Sequence, residues 1–125
     1  MDLTIRFNVV LFDFFNYLAY LLIRLKDSGE NSLSLLFEWD ETKAKLNISK
    51  HKVAFEEATT LFDDSLSITI EDPMHSSGEE RFITIGLSYM NRLLVIAHCD
   101  REDQIRIISA RLTTSKERKV YEKGR

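Results

Sequence analysis

The feature that most restricts the fold is a change of hydrophobic period in the second half of the chain. Between positions 66 and 112, apolar residues recur at every second position or in short continuous runs, which is typical of β-strands. The strand candidates are 66–70, 82–87, 93–98 and 104–112. The loops between the last three are of hairpin length. The sequence therefore predicts a mainly antiparallel sheet.

Helical patterns flank these strands. Asp40 is placed to cap a helix over 41–50, and apolar residues at helical spacing predict a second, amphipathic helix ending at Asp63–Asp64. Thr114 and Glu117 have the spacing of a capping box, which predicts a C-terminal helix. With a short strand candidate at 35–39, the element order is β-α-α-β-β-β-β-α. We therefore expect an α+β fold with a four- to five-stranded sheet, two N-terminal helices and one C-terminal helix.

The length and the cysteine content narrow the class of protein. A chain of 125 residues is long enough for one ordinary domain. Cys99 is its only cysteine, so an internal disulfide cannot form and a reducing cytoplasm is the expected location. The three histidines are not at metal-ligand spacing and no Gly-rich phosphate loop is present, so we expect neither a metal nor another cofactor.

Charge is distributed unevenly along the chain. The net charge of −3 argues against a generally basic nucleic-acid-binding protein. Positions 53–80 contain no Lys or Arg, whereas cations predominate from Gln104 to the C-terminus. These cations are Arg106, Arg111, Lys116, Arg118, Lys119, Lys123 and Arg125. The second region could bind phosphate, although a solvated surface would have the same composition.

Residues 1–36 differ in kind from the rest. Positions 9–25 form an apolar run of helical length, and the polar stretch KDSGENS that follows is typical of a linker. The run is shorter than the roughly 20 residues that a bilayer requires, and Asp13 lies near its middle. A membrane-associated helix, a docking helix and a mis-set translation start remain open. We favour the last, because the globular pattern begins abruptly at Phe37, and we place a single globular domain at 37–125.

An ordered set of short motifs resembles the BrnT family of bacterial toxins. The motifs are Phe37-Glu-Trp39-Asp40, Lys43-Ala44, Asn47, Lys50-His51, Phe55-Glu-Glu-Ala58, Phe62-Asp63-Asp64, Gly78-Glu-Glu80-Arg81, Arg106-Ile-Ile-Ser-Ala-Arg111, Glu117-Arg118 and Tyr121. Each motif is short, but their order is specific and the resemblance covers Phe37 to Tyr121. Two positions depart from the family pattern, where Lys52 replaces a frequent Gly and Ala54 replaces a Ser or Thr. The loss of the N-cap at Ala54 should cost about 1 kcal/mol.

The resemblance implies a compact RelE-like fold and metal-independent cleavage of RNA that inhibits translation. It also implies tight binding to a ribbon-helix-helix antitoxin similar to BrnA. The antitoxin would bind the operator DNA, so this chain would reach that DNA only indirectly. A catalytically silent partner that serves only as corepressor is the alternative. No stable membrane association is expected.

Metal-independent RNA cleavage requires a base for the 2′-hydroxyl proton, a cation beside the charged phosphorane and an acid for the leaving 5′-oxygen. Arg81 opens one strand and Arg111 closes another, so we expect their guanidinium groups to meet over one phosphate. Arg106 lies five residues from Arg111. On an uninterrupted strand the two would face opposite ways, which would direct Arg106 toward solvent or the antitoxin.

The remaining candidates concern proton transfer and RNA binding. His51 is the first candidate for proton transfer, and Glu117 either takes part in catalysis or holds an arginine in place. His75 and Glu80 are weaker candidates. The residues expected to bind RNA are Lys50, Trp39, Tyr121 and Arg118. Trp39 and Tyr121 could stack on bases, but both also fit a place in the core.

Overall fold

The computed structural model describes residues 36–72, 74, 78–101 and 104–124. The strands are β1 (Leu36–Glu38), β2 (Ile68–Glu71), β3 (Arg81–Leu87), β4 (Leu93–Arg101) and β5 (Gln104–Leu112). The helices are α1 (Glu41–His51), α2 (Phe55–Thr59), which continues as a 3-10 turn (Thr60–Asp63), and α3 (Ser115–Lys123). The predicted N-terminal extension lies outside the described residues apart from Leu36, so the domain boundary stays a prediction.

The strands form one sheet in the order β1-β5-β4-β3-β2. Strands β2 to β5 pair antiparallel with their neighbours, and β1 pairs parallel with β5. The predicted α+β architecture, with a mainly antiparallel sheet and two helices before and one after its long strands, is therefore confirmed. Strand β4 lies in the middle and is mostly buried, as its nearly continuous apolar sequence predicts.

Strand β5 contains a β-bulge that changes which side chains share a face. Ala97 of β4 pairs with Ser109, but the next residue, His98, pairs with Ile107, so Ile108 is the extra residue. Ile107 and Ala110 both lie in one core cluster, although residues three apart on a regular strand face opposite ways. The expectation of strict alternation along β5 is therefore wrong.

Each face of the sheet carries a different helical cover. On the first face, which we call the α1 face, α1 and α2 pack on the apolar residues of β4 and β5. This core contains Ala44, Val53, Phe55, Ala58, Leu61, Leu94, Ile96, Ile107 and Ala110. On the second, the α3 face, Tyr121 of α3 packs on Ile85, Leu93 and Val95, all at one end of the sheet.

Two buried polar side chains attach the helices to the sheet. Asn47 donates to the carbonyls of Val53 (2.9 Å) and Ala110 (2.8 Å) and accepts from the Ala110 amide (3.1 Å). Glu57, only 1% exposed, accepts from Ser88 Oγ (2.7 Å) and Arg92 Nε (2.9 Å) and forms an ion pair with the same guanidinium. These groups join α1 to β5 and α2 to the β3–β4 turn.

The helix ends follow the local sequence. Asp40 accepts from the Lys43 amide (3.0 Å), and Thr114 with Glu117 forms the predicted capping box. Ala54 stands at the N-cap of α2 without a side-chain hydrogen bond, as its residue type requires. No helix in the described ranges is both long and apolar enough to cross a membrane.

Candidate active site

At the end of the α3 face away from Tyr121, Arg81, Cys99 and Arg106 form a row across the sheet. Arg81 of β3 pairs with Cys99 of β4, and Cys99 pairs with Arg106 of β5. Directly paired residues project to the same face of a sheet. The two arginine backbones are therefore two strand spacings apart, roughly 10 Å, with the thiol between them.

A groove of about 350 Å³ lies over this row. Its lining residues are Lys43, Met74, Glu79, Arg81, Cys99, Arg106 and Ile108. Three of these side chains are cationic and one is a carboxylate. Cations that converge from α1, β3 and β5 favour an anionic ligand, and the guanidinium fork matches the oxygens of a phosphate.

One guanidinium atom in the groove has an unmet hydrogen-bonding requirement. Arg81 Nε is buried and has no hydrogen-bond partner among the described residues. A buried donor without an acceptor costs about 1–3 kcal/mol. An acceptor supplied by a ligand would remove this cost, so the geometry favours an anion bound beside Arg81.

At the groove end of the sheet, the carboxylates of Glu79 and Glu38 accept hydrogen bonds from Arg101. Its guanidinium donates to Glu79 (2.7 Å) and Glu38 (3.2 Å), whereas Arg106 lies 3.7 Å from Glu38. The hydrogen bond from Arg101 holds the pKa of Glu79 below its ordinary value. Because Arg101 binds these two carboxylates, they neutralise the positive charges of Arg81 and Arg106 only in part.

The thiol at the floor of the groove is not an activated nucleophile. Cys99 is 3% exposed, and burial raises the pKa of its thiol, to which the charge of Glu79 adds. The thiol therefore stays protonated at neutral pH and provides a small apolar surface between the two arginines.

The expected meeting of Arg81 and Arg111 does not occur. Arg111 pairs with Val95, four positions along β4 from Cys99, which is roughly 13 Å along the strand. Both arginines project to the α3 face, but from opposite ends. Arg111 makes two hydrogen bonds with Glu117 (2.8 and 2.9 Å), and these lower the Glu117 pKa to about 2. This pair fastens the start of α3 to β5.

Arg106, and not Arg111 as the sequence predicted, lies in the same groove as Arg81. Because the bulge at Ile108 reverses the alternation, Arg106 and Arg111 share a face, contrary to expectation. Arg106 lines the groove with Arg81.

Comparison with known proteins identifies the family of this chain. The family model described as "Ribonuclease toxin, BrnT, of type II toxin-antitoxin system" matches residues 39–117, more than half of the chain. This chain belongs to the BrnT family. A 1.1 Å crystal structure of the ribonuclease toxin BrnT from Brucella abortus has a similar fold, with a TM-score of 0.50 and 24% sequence identity over 66% of this chain and 100% of that one. No curated protein matches the chain.

Membership of the BrnT family places the protein among the ribonuclease toxins of type II toxin–antitoxin systems, and such a system implies an antitoxin partner. Several positions of the motif set that resembles BrnT have structural roles here. Asn47, Glu57 and Asp64 hold elements together, since Asp64 accepts from the Leu87 amide (2.9 Å) and from the Tyr121 hydroxyl (2.7 Å).

Two of the predicted residues lie at the other end of α1 from the groove. His51 is the last residue of α1, roughly 12 Å along the helix axis from Lys43, and Lys50 precedes it. The carbonyl of the next residue, Lys52, accepts from Arg92 (3.1 Å) in the β3–β4 turn, and this turn follows the end of β3 opposite Arg81. The structure therefore does not bring His51 or Lys50 to Arg81.

The predicted stacking residues are packed within the fold. Trp39 makes an edge contact with Phe55 (5.9 Å between ring centroids), and its indole nitrogen donates to Glu41 (3.2 Å). Tyr121 is buried, and Arg118 is exposed on α3, 4.0 Å from Glu122. His75 lies outside the described residues.

A buried histidine that the sequence did not single out lies beneath the α1 face. His98 Nδ1 contacts Asp100 (2.8 Å), Nε2 contacts the Thr84 hydroxyl (2.7 Å), and Phe62 packs edge-on against the ring (5.1 Å). Burial lowers the pKa of His98 more than Asp100 raises it. This side chain is part of the core and does not line the groove.

Sequence reasoning missed most of the groove. Lys43 and Glu79 belong to motifs quoted above, but nothing in those motifs indicates that they lie near Arg81. The place of Ile108 in the groove could have been predicted only from the bulge. The alternation of polar and apolar residues in the β5 sequence does not reveal that bulge. Among the described residues, no group of three or more His, Cys, Asp or Glu is arranged to hold a metal ion.

Proposed function

We propose that this protein is a metal-independent endoribonuclease that binds the scissile phosphate of RNA between Arg81 and Arg106. The observation that supports this most directly is the pair of guanidinium groups on β3 and β5, on either side of Cys99 of β4. One of them, Arg81, has a buried Nε without an acceptor among the described residues. Membership of a ribonuclease toxin family supports the same reaction class.

The groove offers a residue for each chemical role. Arg81 and Arg106 stabilise the negative charge of the phosphorane. The Glu79 carboxylate accepts the proton of the 2′-hydroxyl, and the resulting O2′ attacks phosphorus. The bond from phosphorus to the 5′-oxygen breaks, and the Lys43 ammonium protonates that oxygen. The products are a 2′,3′-cyclic phosphate and a 5′-hydroxyl.

Arg101 positions Glu79 in this mechanism. Its two hydrogen bonds orient the carboxylate and, together with its charge, keep the pKa of Glu79 low. Glu79 is therefore ionised at neutral pH and ready to accept a proton, although its low basicity limits the rate. We infer that cleavage persists into acidic solution, where an unperturbed glutamate would already be protonated.

In the cell, we infer that cleavage of mRNA by this toxin inhibits translation in the cytoplasm. A ribbon-helix-helix antitoxin similar to BrnA would bind the toxin, and the complex would reach operator DNA through the antitoxin. The family supports the existence of an antitoxin, and the fold class of that partner follows from the resemblance alone.

Cleavage of a fluorescent single-stranded RNA by the purified protein tests the proposal. We expect cleavage in the presence of EDTA and no cleavage of the same sequence as DNA, because the nucleophile is the 2′-hydroxyl. Arg81→Ala should lower kcat/KM by about 10²- to 10³-fold, the usual loss when one charge-stabilising donor is removed. The matched control is Arg118→Ala, since Arg118 is an exposed arginine outside the groove lining.

Two outcomes would contradict the proposal. Wild-type protein that leaves RNA intact would favour a silent partner that acts only as corepressor. An equal loss in Arg81→Ala and Arg118→Ala would place the phosphate site elsewhere. Inducible expression gives a cellular readout, in which growth arrest by the wild type should be relieved by Arg81→Ala and retained by Arg118→Ala.

A further inference from the structure

We propose that the apolar part of the groove formed by Ile108 beside Cys99 binds one nucleobase next to the scissile phosphate and favours purines. This inference rests on the proposed ribonuclease activity and concerns its substrate preference. The groove lining contains both cationic and apolar side chains. The cations are Lys43, Arg81 and Arg106, and the apolar residues are Met74, Cys99 and Ile108.

The bulge explains why an isoleucine lines a cationic groove. Ile107, on the α1 face, is 1% exposed and fills the core. Ile108 is the extra residue, lies between Ile107 and Ser109, and contributes to the groove beside Arg106. Bulges occur next to active sites, where they redirect a side chain. An aliphatic group presented there offers an apolar surface against which a nucleobase can be buried.

The size of the groove supports a ligand larger than a phosphate group. Its volume of about 350 Å³ falls in the range of roughly 300–1,000 Å³ that is typical of small-molecule sites. Met74, which is 83% exposed, follows β2, whereas Ile108 belongs to β5, so the two residues lie on opposite sides of the groove. A nucleotide fills such a space with its phosphate on the arginines and its base on the apolar side.

The chemistry of the apolar lining residues determines which bases the groove prefers. Aliphatic and sulfur-containing side chains contact the face of a base, and every base has such a face. The apolar lining residues Met74, Cys99 and Ile108 carry no amide or hydroxyl group that would read a base edge. The area of the ring then decides affinity. We expect a purine to exceed a pyrimidine by about three- to tenfold, since burying roughly 40 Å² more of apolar ring surface at about 25 cal/mol per Å² corresponds to about fivefold.

Chimeric oligonucleotides provide the test. Each is DNA with a single cleavable ribonucleotide, and the bases on the two sides of the scissile phosphate are varied one at a time. In the wild type, kcat/KM should be about three- to tenfold higher for a purine at one of these two positions. Ile108→Thr, which keeps a β-branched side chain in the strand, should reduce this ratio to below about twofold while the pyrimidine substrate changes little.

Two further variants control the comparison. Ile108→Val keeps the apolar surface and should retain most of the preference, whereas the unchanged pyrimidine rate of Ile108→Thr excludes a loss of folding as the cause. Ile70→Thr changes an isoleucine that is 52% exposed on β2 and outside the groove lining, so the ratio should stay at the wild-type value.

The possible results separate this inference from the proposed function. Equal rates for purines and pyrimidines, or a ratio that Ile108→Thr leaves unchanged, would overturn the inference while the ribonuclease activity stands. Weakened antitoxin binding by Ile108→Thr with an unchanged ratio would assign the surface to the protein partner instead. If no RNA is cleaved, the proposed function fails, and fluorescence anisotropy with all-deoxy oligonucleotides then tests the base preference by itself.

Discussion

Arg81 and Arg106 project to the same face of the sheet with Cys99 between them, although they belong to strands that are not neighbours. The bulge at Ile108 makes this possible. It lets Ala110 contact the α1 core while Arg106 stays on the opposite face with Arg81. The same bulge aligns Arg106 with Arg111, so that one face carries a groove at one end and the Arg111–Glu117 pair at the other.

Substitution of these two arginines should separate catalysis from stability. Arg106→Ala removes a groove cation and should lower kcat/KM for RNA by about 10²- to 10³-fold with little change in Tm. Arg111→Ala breaks the pair with Glu117 and should lower Tm while retaining most of the cleavage activity. Cleavage assays and thermal melts of both variants check this, and a larger loss of cleavage in Arg111→Ala would return that residue to the reaction.

Glu57 should be among the side chains on which stability depends most. It is 1% exposed and accepts from Ser88 and Arg92, so Glu57→Ala removes the carboxylate that neutralises a partly buried guanidinium. We expect a loss of about 3–5 kcal/mol in the free energy of unfolding. Glu56→Ala, at the exposed neighbouring position, should stay within about 0.5 kcal/mol. Urea denaturation measures both, and similar values for the two variants would argue against the role given to Glu57.

His98 should make the protein less stable in mildly acidic solution. Its pKa in the folded state lies below the ordinary value of 6.5, because burial disfavours the charged ring. The unfolded chain therefore takes up a proton first as the pH falls through 6.5, and the free energy of unfolding decreases from there toward the lower folded pKa. Urea denaturation between pH 7.5 and pH 5 should show this slope, and His98→Gln should flatten it. A slope of the opposite sign would mean that Asp100 outweighs burial.

Glu117 should contribute stability that disappears only in strong acid. Its pKa falls from 4.5 to about 2 on folding, so its contribution is complete above pH 4.5 and is lost as the pH falls toward 2. Allowing for partial exposure, Glu117→Gln should cost about 1–2 kcal/mol at pH 7. The difference between this variant and the wild type should shrink below pH 4.5. Glu122→Gln, at an exposed carboxylate on the same helix, is the control and should show no such change.

Local features of the sequence predicted most of the fold correctly. The caps at Asp40 and Thr114 and the change of period at residue 66 depend on neighbours in the chain, and each appears in the structure. The BrnT resemblance was confirmed by the family match over residues 39–117. For Trp39 and Tyr121, the sequence left open base stacking or a place in the core, and the packing of both residues agrees with a place in the core.

Only the tertiary structure decided which residues form the candidate site. A single extra residue in β5 moves every side chain before it to the other face, and whether a strand contains one depends on the packing of Ile107 and Ala110 under α1. The groove then combines Lys43, Arg81 and Arg106 from three separate elements. Hydrophobic period and helix capping depend on residues that are close together in the sequence, so they can be predicted from it. The residues that lie beside an arginine across a sheet depend on the strand register, which no short stretch of sequence determines.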